Sequence, residues 1–137
     1  MSKVQADRTE VIQHLQMIQL VIARMNSNSF LLKRWSLVLL VAFLLYGQRD
    51  ENTISLALAG LGVFSILAFW LLDSFYLWQE RGYVALHNAV RIREKTEFDM
   101  RGMVHDVSYL NVVSSKTILP FYTFEVLIVL SLIIIQK

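Results

Sequence analysis

The chain has 137 residues, 55% hydrophobic and 18% charged, with a mean hydropathy of +0.49, a formal net charge of +2 and no cysteine. Such apolarity excludes an ordinary soluble domain unless the apolar residues are gathered into blocks, and the length allows one domain only. The lack of cysteine excludes disulfides, thiolate nucleophiles and thiolate metal sites, and fits work at a reducing cytoplasmic face.

Residues 1–28 begin with a charged stretch that has no apolar centre, so they do not read as a cleaved signal peptide. Val11, Leu15, Ile18, Ile22 and Met25 recur at alternating spacings of four and three, which predicts an amphipathic helix outside the membrane. That spacing suits packing against other helices. A helix lying on the membrane surface is the rival, but its polar face would usually be richer in Lys and Arg. The run from Asn26 to Ser29 predicts a break, with Ser29 capping the next helix.

The first membrane span is expected at about 30–47. Its uninterrupted apolar part is short, so Lys33 and Arg34 must snorkel to the headgroups, with Trp35 and Tyr46 as interfacial anchors. Polar residues 48–53 predict a tight hairpin into a second span at about 54–75. Residues 54–72 carry no formal charge, and a bilayer core of roughly 30 Å needs about 20 apolar helical residues. Ser55, Ala59 and Gly62 form a small face on this helix, and Phe69 and Asp73 continue its line. Small faces let helices approach closely in lipid, so this face is a candidate oligomer contact; a chance stripe in an Ala/Gly-rich helix is the alternative.

Beyond Asp73 the helix is expected to continue, because Tyr76, Tyr83 and Val90 repeat every seven residues with Leu86 between them. Residues 76–116 read as a cytoplasmic helical segment, with a short amphipathic helix around 100–110. The third span is expected at about 118–135, with Pro120 in its first turn, where proline is tolerated. Lys and Arg fix the orientation. Five lie in residues 1–34 and six in 79–117, against Arg49 alone in the hairpin turn and Lys137 alone at the C-terminus. The positive-inside rule then places the N-terminus in the cytoplasm and the C-terminus outside, as three spans require.

His14, His87 and His105 lack ligand spacing, and no nucleotide-binding, hydrolase or metalloprotease fingerprint occurs. The reading is therefore not an enzyme, with no cofactor and no metal. Asp73, near the cytoplasmic boundary, and Glu125, about 10 Å into its span, are candidate pore or gating residues. The blander reading makes Glu125 a protonated acid, or a static strut paired with Lys33 or Arg34, and leaves Asp73 reachable by water. Arg91, Arg93, Lys95 and Arg101 are candidates for an anionic ligand; the same cations also serve topology and anionic headgroups.

Two stretches carry a resemblance. One runs from His14-Leu15-Gln16-Met17-Ile18-Gln19 through Arg24-Met25 to Asn28-Ser29-Phe30-Leu31-Leu32-Lys33-Arg34-Trp35. The other is Phe69-Trp70-Leu71-Leu72-Asp73-Ser74-Phe75-Tyr76-Leu77, ending Gln79-Glu80-Arg81. Over about residues 11–85 the chain resembles small bacterial membrane effectors of the SLATT type, and within that group the effectors of Hailong anti-phage systems. The resemblance implies a homo-oligomeric inner-membrane channel, a tetramer for instance, gated by a nucleotide or short oligonucleotide from a partner nucleotidyltransferase. Such a channel would depolarise the infected cell in abortive infection. The group is usually described with two spans, so the third span here is a departure, and segment 91–101 lies outside the well-matched region. The expected class is thus an all-α, polytopic membrane protein with three transmembrane helices and cytoplasmic amphipathic helices, contacting lipid and copies of itself. The alternative is a non-conducting membrane anchor that recruits a soluble partner.

Overall fold

In the computed structural model, residues 3–47, 56–93 and 108–135 are described. The protein is all-helical across these residues: α1 (Lys3–Gly47), α2 (Leu56–Arg93), α3 (Tyr109–Val113) and α4 (Leu119–Ile135). The hairpin turn at 48–53, Ser55 and most of the helix expected at 100–110 lie outside the described residues.

α1 is one continuous helix of 45 residues, so the break expected at Asn26–Ser29 does not occur. Asn and Ser in a helix interior cost only about 0.5 kcal/mol each, which tertiary packing overrides. Ser29 caps nothing. Its hydroxyl points inward and donates to Asp73 of α2. The helix expected over 1–28 and the segment expected at 30–47 are therefore parts of a single rod.

At 1.5 Å per residue α1 is about 68 Å long and the 38-residue α2 about 57 Å, each roughly twice a bilayer core. They pair as an antiparallel hairpin. Gln19 meets His87 at 3.3 Å, Ser29 meets Asp73, and Phe43 lies against Gly62. Each pair sums to nearly the same number (19 + 87, 29 + 73, 43 + 62), as a single antiparallel register demands.

α4 joins only the half of this hairpin nearest the turn. Tyr122 contacts Asp73, Glu125 contacts Ser36, and Val129 shares a core with Leu40 and Ile66. It therefore runs parallel to α1 and antiparallel to α2, which places its C-terminal end at the turn end of the hairpin, opposite the start of α1. Pro120 lies in its first turn, where no amide is needed for the helix ladder. α3 packs beside α2 at the base of this three-helix half. There Trp70 Nε1 donates to the Val113 carbonyl at 3.1 Å and Tyr109 Oη to the Leu71 carbonyl at 2.9 Å.

Two apolar clusters result. The three-helix half centres on Leu40, Ile66, Val112, Ile118, Tyr122 and Val129. The two-helix arm, formed by the outer parts of α1 and α2, centres on Ile18, Leu86 and Val90, with Val11, Leu15, Ile22 and Tyr83 packed around them. The heptad-like stripes on both arm helices thus face each other within one chain. Between the clusters lies a layer of polar side chains.

Candidate functional site

This polar layer is built from three helices whose sequences supply two or three polar residues each on an otherwise apolar face. On α1, Ser29, Lys33 and Ser36 follow at spacings of four and three, which sets them on one stripe. On α2, Asp73 and Ser74 are fully buried; on α4, Tyr122 and Glu125 are three apart and point the same way.

Asp73 is the hub. It is 0% exposed, and both its oxygens are occupied. Oδ1 accepts from the Ser29 hydroxyl. Oδ2 pairs with Lys33 Nζ at 2.5 Å and accepts from Tyr122 Oη at 3.2 Å. Lys33 also donates to Ser29 Oγ at 2.9 Å, which closes a small ring across α1 and α2. The Lys33 side chain remains 22% exposed and links the ring to the surroundings. Trp70 stacks on Tyr122, with ring centroids 6.4 Å apart, and Phe121 meets Tyr122 edge-on at 5.0 Å. These rings fix the tyrosine hydroxyl toward Asp73.

Glu125 is held differently. It is 1% exposed, and its Oε2 accepts from the Ser36 hydroxyl. Its Oε1 is buried with no hydrogen-bond partner among the described residues. Lys33 is committed to Asp73, and the neighbouring Arg34 is exposed. The strut expected between Glu125 and Lys33 or Arg34 is therefore replaced by one between Asp73 and Lys33. The reason is register: position 33 of α1 lies level with position 73 of α2, while Glu125 lies a turn deeper, level with Ser36. Asp73, expected within reach of water, is enclosed.

On the turn side of Ser36 a cavity of about 260 Å³ opens between α1 and α2. Leu40, Phe43, Leu61, Ile66 and Phe69 line it, with Val129 of α4 as its inner wall.

The remaining candidate residues are dispersed. Ala59 is 2% exposed, and a Cβ on Gly62 would lie 3.2 Å from Phe43 Cε2. Gly62, on the small face of α2, thus receives Phe43 of α1 within the same chain. Arg91 is exposed near the end of α2, and Arg93 is the last residue of that helix. Lys95 and Arg101 lie outside the described residues, as does His105. Glu80, further along the arm, has its carboxyl pushed above the ordinary value by burial, with Arg81 and then Lys33 opposing. No cluster of His, Asp and Glu that would hold a metal ion occurs among the described residues.

Sequence reasoning missed Ser29, Ser36 and Tyr122 as partners of the two acids, and considered Lys33 for Glu125 instead of Asp73. The signal was present: Ser29 and Asp73 lie nearly equally far from the centre of the turn expected at 48–53, so an antiparallel pair centred there brings them level. No protein-family model, curated protein or solved structure matches this chain.

Proposed function

We propose that the protein is a three-span bacterial inner-membrane effector that assembles as a homo-oligomeric channel. In this reading a nucleotide or oligonucleotide signal received on the cytoplasmic arm controls conduction, and opening depolarises the cell in anti-phage defence. Two helices, with windows inside Arg8–Tyr46 and Ala57–Ile92, are long and apolar enough to cross a membrane. Only 17% and 22% of those windows are buried. A core helix of a soluble protein would be mostly buried, so an apolar solvent around the rods supports insertion. The 17-residue α4, about 26 Å long, supplies the third span.

One observation carries the channel reading beyond insertion. The two stretches that resemble SLATT-type effectors are the two that lock together, through Ser29, Lys33 and Asp73. This lock sits where the membrane half meets the arm. A signal that moves the arm therefore acts on a buried ion pair, the kind of two-state element by which a distant site can bias a bundle. Arg91 is an exposed cation of the arm and Arg93 ends its helix, and both remain candidates for receiving the signal.

A second reading, a non-conducting membrane anchor, is favoured by the enclosure of both carboxylates within one protomer, because the exposed faces of the apolar half carry residues such as Leu37, Val38, Phe64, Leu67 and Leu127. Ion flux separates the two. Full-length protein in vesicles is assayed for potassium release with and without a mixture of short oligonucleotides and cyclic dinucleotides. Flux that the mixture opens or closes supports the channel. Correctly inserted protein that conducts under neither condition establishes the anchor.

A further inference from the structure

The polar layer does not balance in charge. Three ionisable side chains that carry charge in water meet there: Lys33 on α1, Asp73 on α2 and Glu125 on α4. Lys33 and Asp73 cancel each other at 2.5 Å. Glu125 is left with one hydroxyl on Oε2 and nothing on Oε1. The other groups facing the layer do not help. Tyr122 directs its hydroxyl to Asp73, Arg34 is exposed, and Glu80 and Arg81 lie two turns further along α2 toward the arm. The cavity beyond Ser36 is mostly apolar: its polar lining residues are Tyr46, ten positions further along α1, and Ser65, whose hydroxyl donates to the Leu61 carbonyl. A bare carboxylate in such surroundings is strongly disfavoured even after relaxation, and a single hydroxyl offsets only part of that cost.

We propose that Glu125 is a binding site for one positive charge per protomer, and that its occupant is a proton. Binding is one step: the carboxylate takes a proton from hydronium, an O–H bond forms on Oε2, and water is released. The hydrogen bond to Ser36 then reverses. Glu125 Oε2 donates, Ser36 Oγ accepts, and the serine hydrogen turns to the carbonyl one turn back on α1. Oε1 becomes the carbonyl oxygen of a neutral acid, for which a missing partner costs far less than for a carboxylate. The layer is then neutral. An alkali cation would offer the same charge, but it needs several oxygen ligands. Here only Ser36 and one free carboxylate oxygen stand ready among the described residues, because Asp73 is fully committed. The site rests on α4 lying in the membrane, not on conduction.

Infrared difference spectroscopy on the full chain in vesicles tests this, with pH titrated in H₂O and D₂O and with choline, sodium or potassium as the sole cation. The expected result is a carboxylic-acid carbonyl band that shifts in D₂O, is indifferent to the cation, persists in Asp73→Asn and is lost completely in Glu125→Gln. Ser36→Ala should move the band without abolishing it, which keeps the assignment independent of how well Glu125→Gln folds. Absence of the acid band at every pH where the protein is folded overturns the proposal. So does a carboxylate band that moves when sodium or potassium replaces choline, which would make the occupant an alkali ion. Ion flux is not read in this experiment, so a failure of the channel reading leaves its outcome unchanged.

Discussion

Asp73 and Lys33 show how unequal the two ends of a buried ion pair are. Asp73 is fully enclosed, whereas Lys33 keeps part of its stem in contact with the surroundings. Lys33→Met leaves a buried carboxylate with only hydroxyl partners, and should destabilise the protein by about 3–5 kcal/mol. The double variant Lys33→Met/Asp73→Leu removes the charge with its partner and should recover most of that loss, because replacing a buried pair by apolar groups is often neutral. Equilibrium unfolding in detergent measures both, and equal losses in the single and double variants would exclude the pair as the organiser of this layer. Gly60 and Gly62 of α2 give a second contrast. Nothing lies within 4 Å of a Cβ at Gly60, so Gly60→Ala should stabilise by about 0.5–1 kcal/mol. At Gly62 the Phe43 ring is already 3.2 Å away, and Gly62→Leu should cost about 1–3 kcal/mol through overpacking of the hairpin. Thermal unfolding of the two variants should therefore move in opposite directions.

The hairpin of α1 and α2 carries two kinds of packing in one pair of rods. In the arm, burial of Ile18, Leu86 and Val90 contributes roughly 1.5–3 kcal/mol each through removal from water. If the apolar half lies in lipid, the same contacts gain only close packing there, since lipid is as apolar as the core. The arm is then held by hydrophobic burial and the apolar half by fit, with the polar layer fixing the register between them. Glu80 adds a pH dependence to the arm. Its folded-state pKa is raised above the ordinary 4.5, first by burial, so the cost of ionising it in place is absent at lower pH. That cost grows as pH rises through the folded value, because the unfolded chain then binds fewer protons than the folded one. Stability should accordingly fall as pH climbs from the mid-fours, and Glu80→Gln should flatten that slope in melting curves recorded across the range.

Across the whole molecule, the three-helix half and the two-helix arm give the protein a direction. The start of α1 lies at one end, and the end of α4 lies at the other, beside the hairpin turn. If the apolar half is a membrane domain, the two termini lie on opposite sides of the bilayer. The absence of native cysteine makes this simple to test, because any introduced thiol is the sole one. Lys3→Cys should react with an impermeant maleimide only after the cells are opened, and Lys137→Cys should react in intact spheroplasts. Labelling of both from the same side would leave two spans instead of three.

The sequence by itself determined the helical class, the apolar stretches within its helices and the stripes that the arm helices turn toward each other. All of these follow from local composition and from periods of 3.5 to 3.6 residues. It also marked Asp73 and Glu125 as unusual, since a carboxylate in an apolar run is conspicuous wherever it lies. What each acid touches was decided only by tertiary structure. Lys33 and Arg34 are adjacent in sequence and chemically alike, yet a rotation of about 100° between neighbours on a helix turns one toward Asp73 and the other outward. The break at Ser29 was overruled for the same reason: a capping serine and an inward-facing serine are identical in one dimension, and only the partner on α2 distinguishes them. Likewise Gly62 of the small face packs against Phe43 of α1, and a sequence cannot say whether the helix that approaches such a face belongs to the same chain.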